Sequence, residues 1–100
     1  MIITAVDVIT EIWNQAIALL VRDGWSVSSK YDAFDAEIDF DFLMLKKDGE
    51  EIIFGWTNWV EGEIQCDEKH LTFIEAQIGY KFKKGVPDIL TPETVMANRK

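Results

Sequence analysis

The chain has 100 residues, 48% apolar and 28% charged, a balance that suits one globular domain and excludes a disordered chain. Its 18 acids against 10 bases give a net charge of −8, which disfavours nucleic acid and anionic membrane as partners and favours a basic protein or a cation. A lone cysteine, Cys66, excludes an internal disulfide, and an N-terminus carrying Asp7 and Glu11 reads as neither signal peptide nor membrane span, so the expected setting is the cytoplasm.

Val6, Ile9, Trp13, Ala16, Ile17 and Leu20 recur at three- and four-residue steps and predict a helix over residues 4–22. Thr4, with Asp7 three residues later, is its expected cap, and Gly24 its stop. "WSVSSKY" (25–31) alternates and predicts a strand, and "DAFDA" (32–36) is a connection. "EIDFDFLML" (37–45) and "IIFGWTNW" (52–59) predict a hairpin across Asp48-Gly49, two residues suited to the positive φ angles of a type I′ turn.

A two-residue loop fixes the register. Met44 faces Ile53, Phe42 faces Gly55, Phe40 faces Thr57 and Ile38 faces Trp59; this side is the expected core. The other side pairs Leu45 with Ile52, Leu43 with Phe54, Asp41 with Trp56 and Asp39 with Asn58. Trp59 is thus expected inside and Trp56 outside, unless a bulge at Gly55 inverts the outer half.

Further on, Glu61-Gly62 predicts a turn into a short strand through Ile64. Asp67 is placed to cap a helix over "EKHLTFIEAQI", with Leu71, Ile74 and Ile78 inward and Gly79 as its stop. Tyr80 and Phe82 alternate in a last strand, and Thr91-Pro92 can open one or two helical turns. The expected fold is therefore α+β: an N-terminal helix, an antiparallel sheet of three to five strands around a central hairpin, and a second helix packed on it. Residues 1–85 form the expected domain, and 86–100 a tail or short helix.

Acidity is concentrated. Residues 1–66 hold 13 acids and 4 bases, and residues 32–41 hold five acids and no base. Glu37, Asp39 and Asp41 stand on one face of a strand, where they can bind a divalent cation or simply solvate an open sheet face. Cys66 and His70, four apart at a helix start, are a candidate reactive thiol, although Asp67 and Glu68 oppose a thiolate. Trp56, with Leu43, Leu45, Ile52 and Phe54 on its face, is too much apolar surface to stay wet, so the chain's own elements or another chain must cover it. Lys81, Lys83 and Lys84 read as a solvated strand end.

The order helix, strand, hairpin, helix over residues 4–80 resembles the double-stranded RNA-binding domain, but "CDEKH" stands where that family has a basic helix start, so no RNA function is implied. It also resembles the core of the PD-(D/E)xK nucleases, with Asp39 or Asp41 as the metal-binding acid. "IIFGWTNW" lacks the acid-x-lysine of that family, which implies at most a degenerate copy.

The expected function is that of a small acidic, non-catalytic protein-interaction domain, inhibitor- or immunity-like, binding a protein partner, a basic one by charge, through Glu37, Asp39, Asp41, Phe54, Trp56 and Asn58. No catalytic residue, metal ligand or cofactor is assigned. Two other readings stand beside it: a carboxylate-based metal-binding or degenerate nuclease-like enzyme domain, and a structural homodimer packed through Phe54 and Trp56.

Overall fold

The N-terminal helix starts later than its spacing predicts. In the computed structural model, which describes residues 1–31 and 40–99, the chain opens with strand β1 (Ile2–Val8), and helix α1 (Thr10–Arg22) follows only after Ile9. The run "IITAVDV" is rich in β-branched residues, whose stiff side chains fit a pleated surface better than a helix. Thr4 caps nothing: its hydroxyl accepts from the Gln65 side chain at 3.0 Å. Asp7 has a positive φ of 53° where the register of β1 shifts, and its carboxylate pairs with Lys83 at 2.9 Å.

Next come β2 (Ser26–Lys30), β3 (Phe40–Lys47), β4 (Glu50–Thr57), β5 (Glu61–Asp67), α2 (Glu68–Ile78), β6 (Lys83–Lys84) and α3 (Pro92–Asn98). The fold is α+β, and the described residues form one antiparallel sheet in the order β2-β3-β4-β5-β1-β6 and three helices. The sheet has six strands where three to five are expected, because β1 is a strand and lies between β5 and β6. That extra first strand also breaks the element order of both family resemblances. Among the described residues, no helix is long and apolar enough to cross a membrane.

The central hairpin has the predicted register throughout its described length, from Phe40–Thr57 to Lys47–Glu50. Asp48 and Gly49 both take positive φ, 51° and 80°, as a type I′ turn demands. Gly55 is not a bulge; it pairs regularly with Phe42 on one side and Glu63 on the other. Helix α2 begins and ends as expected, with the Asp67 carboxylate accepting from the Lys69 N–H at 3.1 Å and Gly79 left-handed at φ 77°.

Both faces of the sheet are covered. Trp13, Ala16 and Leu20 of α1, with Leu71 and Ile74 of α2, pack over Leu45, Ile52, Phe54 and Ile64. This is the face expected to need a cover, and the chain's own helices supply it. The opposite face, Phe42, Met44 and Ile53, lies under Ile89, Leu90 and Val95 of the C-terminal segment. Helix α3 opens as the sequence allows, with the Thr91 hydroxyl accepting from the Thr94 N–H.

Two glycines make the close contacts possible. A Cβ on Gly62 would come within 2.5 Å of Trp13 Cδ1 and 2.9 Å of the Val8 carbonyl oxygen. The bare backbone there seats the Trp13 indole, whose N–H donates to the Glu63 carbonyl at 3.3 Å. A Cβ on Gly55 would stand 2.8 Å from both Ile89 Cγ2 and Leu90 Cδ2.

Candidate partner-binding end of the sheet

Strand β4 stops at Thr57, and three residues, Asn58 to Val60, turn the chain into β5. The Thr57 hydroxyl accepts from the Val60 N–H at 3.0 Å, so a short polar side chain takes over a backbone donor and ends the ladder. Glu61 completes the turn with φ 65°, a left-handed conformation that a non-glycine residue adopts only under constraint from its surroundings.

This turn corrects the reading of Trp59. Strand alternation places it in the core opposite Ile38; instead it sits at the tip of the turn with 77% of its surface exposed. Alternation ceases to apply once the strand has ended, and Ile38 lies outside the described residues. Asn58 beside it is also exposed.

Trp56 is half-buried, packed against the helix-side core. Its indole N–H donates to the Thr10 hydroxyl at 2.9 Å, and that hydroxyl donates to Glu61 Oε1 at 3.3 Å. Asp41 pairs with Trp56 across the hairpin, as the register predicts, and its Oδ1 accepts from the Phe42 N–H at 2.9 Å. Phe54 is fully buried and meets the Trp13 ring edge-on at 5.8 Å, so it offers no surface to a partner or to a second copy. Helix α1 takes the place that a homodimer packed through Phe54 would need. Glu37 and Asp39 lie outside the described residues.

The structure therefore joins Asp41, Trp56 and Asn58 at one end of the sheet and removes Phe54 from it. It adds three residues that sequence reasoning passed over there: Thr10, Trp59 and Glu61. The signal for Trp59 was present in Thr57-Asn58, a pair that favours turns over strand continuation.

The thiol candidate separates. Cys66 is buried in β5, and burial, followed by the neighbouring Asp67 charge, pushes its thiol up to about 12. A neutral thiol in that position is no nucleophile. The His70 ring turns instead to Glu50, 3.0 Å from Nε2, and stands edge-on to Trp25 at 5.0 Å. Lys69 also reaches Glu50 at 3.1 Å, and Lys47 reaches Asp23 at 3.5 Å, around a cleft of about 360 Å³. Hydrogen bonds from His70 and Lys69 hold the Glu50 carboxyl below its usual range. These groups neutralise one another, and the cluster braces the hairpin turn against α1 and α2. Two of the three lysines after α2 are paired as well: Lys83 with Asp7 and Lys84 with Glu75. Among the described residues, no three His, Cys, Asp or Glu side chains converge in a way that could hold a metal ion.

A buried carboxylate went unread in the sequence. Glu63 in β5 has no exposed surface, and its two oxygens accept from three successive backbone N–H groups. Asp88 donates at 2.8 Å, Ile89 at 3.1 and 3.2 Å, and Leu90 at 3.0 Å. A carboxylate only accepts hydrogen bonds, and here three donors meet it, which is how a charged group can be kept from water. Comparison with protein-family models, with curated proteins and with solved structures finds no match.

Proposed function

We propose that this chain is a small acidic, non-catalytic protein-interaction domain, inhibitor- or immunity-like in kind, that docks a basic protein partner through the β4–β5 end of its sheet. The observation that carries the reading is Trp59, 77% exposed at a turn tip while the sheet around it is covered on both faces. A large aromatic side chain held in water on a rigid hairpin is the kind of anchor that dominates interface energetics. Asp41, Asn58 and Glu61 supply a polar rim around it, and the net charge of −8 favours encounter with a cationic surface. The brace from Trp56 through Thr10 to Glu61 holds this end in one shape before a partner arrives, which reduces the entropy lost on binding.

The test begins with capture of a partner from the native lysate by the wild-type chain, followed by calorimetry with the purified pair. Trp59→Ala should weaken binding by about thirtyfold or more, the effect of removing a hot-spot aromatic. Asp39→Asn with Asp41→Asn should flatten the salt dependence of association. Equal affinity of all three proteins for the partner would overturn the proposal.

A further inference from the structure

The C-terminal segment lies on the second sheet face through two buried aliphatic side chains and a series of hydrogen bonds, contacts of a kind a peptide ligand also makes. Only Ile89 and Leu90 of residues 86–99 are buried; helix α3 has no buried residue. The two aliphatic side chains settle over Gly55, where a Cβ would strike both. Directly across the β4–β5 ladder from Gly55 stands Glu63, whose carboxylate gathers the N–H groups of Asp88, Ile89 and Leu90. Gln65, next on that face of β5, reaches the Leu90 carbonyl at 3.4 Å. Farther along, the Ser29 hydroxyl donates to the Asn98 carbonyl at 2.7 Å, and Arg99 grips both oxygens of Glu51 at 2.8 and 3.1 Å.

Residues 88–90 bend around the Glu63 carboxylate, and Ile89 and Leu90 close a small cluster with Phe42, Met44 and Ile53 that is separate from the helix-side core. Glu63 reads N–H groups that almost any residue possesses, while Gly55 leaves room for two consecutive aliphatic side chains. Clefts of about 470 and 530 Å³ open on this face and share Gln65 and Arg99, so the segment is not sealed down along its length. The link to the rest of the chain is Gly85-Val86-Pro87, with Val86 86% exposed. An exposed joint before a terminal segment that packs as a separate cluster is the arrangement from which identical elements exchange between copies.

We propose that the second sheet face is a peptide-binding trough, filled in this conformation by the chain's own residues 87–99, and that the same segment of a second copy is its exchange ligand. Glu63 is the backbone-reading group and Gly55 the side-chain seat. The segment leaves and returns while α1, α2 and the sheet stay folded, a local opening well below the free energy of global unfolding.

Native-state hydrogen exchange on the full chain tests the opening. The amides of residues 88–90 should exchange at least about a hundredfold faster than those of β4 at the same pH. Exchange of both sets at one common rate, through global unfolding alone, overturns the proposal. The trough is tested with a fluorescent synthetic peptide of residues 86–99 titrated onto the full chain. The resident segment competes at an effective concentration in the millimolar range, so loosening it must help the peptide. Ile89→Ala in the full chain, which weakens the resident segment and leaves the trough intact, should tighten peptide binding about tenfold or more. Gly55→Val, which fills the seat, should abolish it. Peptide binding that is unchanged by Ile89→Ala, or that survives Gly55→Val, overturns the assignment of the trough.

Discussion

Trp56 and Thr10 join a strand to a helix start: the Trp56 indole N–H meets the Thr10 hydroxyl at 2.9 Å, across the gap between β4 and the first turn of α1. Because the same hydroxyl donates to Glu61, one oxygen ties the start of α1 to both β4 and β5, far along the chain. Helix α1 has no side-chain cap of its own at Ile9, so this bond is its polar attachment at that end.

Thr10→Val keeps the shape of the side chain and removes the hydroxyl. Both partners are then left to water, and the cost should be about 0.5–1.5 kcal/mol, the net worth of an ordinary hydrogen bond. Urea denaturation of the two proteins measures it. A loss above about 3 kcal/mol would mean that Thr10 does more than brace.

Gly62→Ala and Gly55→Ala should differ in severity. In an open strand alanine would be favoured over glycine by roughly 0.5–1 kcal/mol. At Gly62 the new methyl meets both the Trp13 ring and a backbone oxygen, so α1 must shift, with a cost of about 2–3 kcal/mol or more. At Gly55 it meets the side chains of Ile89 and Leu90, on a segment that can yield, and the loss should be smaller. Thermal melts of the two variants give the order directly.

Cys66 should be silent toward thiol reagents in the folded protein. With its thiol pushed up to about 12 by burial and by Asp67, the folded chain carries almost no thiolate at pH 8. Labelling with a chromogenic disulfide should appear only as the protein unfolds in denaturant. Full labelling within seconds under native conditions would contradict the burial of β5.

Glu50 and Asp67 give the pH response a direction. Hydrogen bonds from His70 and then Lys69 lower the Glu50 carboxyl in the fold, and the Lys69 N–H, followed by the N-terminal ammonium, lowers Asp67. A carboxyl whose folded pKa lies below its unfolded one binds fewer protons in the fold. Its contribution is complete above the ordinary carboxylate range and is lost as pH falls through the folded value. Both groups are exposed, so the effect is small and salt-sensitive. Melting temperature should fall from about pH 6 to pH 3, with a shallower slope in Glu50→Gln.

The central hairpin and α2 were legible because local chemistry punctuates them. Asp48-Gly49 demands one turn, whose length fixes every pair of the ladder, and Asp67 and Gly79 mark both ends of α2. The first strand was not legible for a related reason. Val6, Ile9 and Trp13 keep helical spacing across the junction between β1 and α1, and Thr4 with Asp7 imitates a cap. Nothing nearby in the chain contradicts that pattern, since the partners of β1 are β5 and β6, most of the chain away.

At the candidate site, Asp41 beside Trp56 was readable from the register. Trp59 was misread by extending alternation past the end of its strand, and Glu63, a charge on a face that a later segment covers, was not read at all. A carboxylate in a strand reads as solvent-facing until the donors that satisfy it are known. Here they come from residues 88–90.

The place of β1 between β5 and β6 has a consequence for the order in which the molecule can be made. During synthesis β1 has no partner until β5 has been made, and the second sheet face has no cover until Ile89 and Leu90 arrive. A nascent chain halted before residue 88 would carry Phe42, Met44 and Ile53 bare and Glu63 with its donors missing. Closure of that face thus waits for Ile89 and Leu90, and chaperone contacts during synthesis should concentrate on it until then.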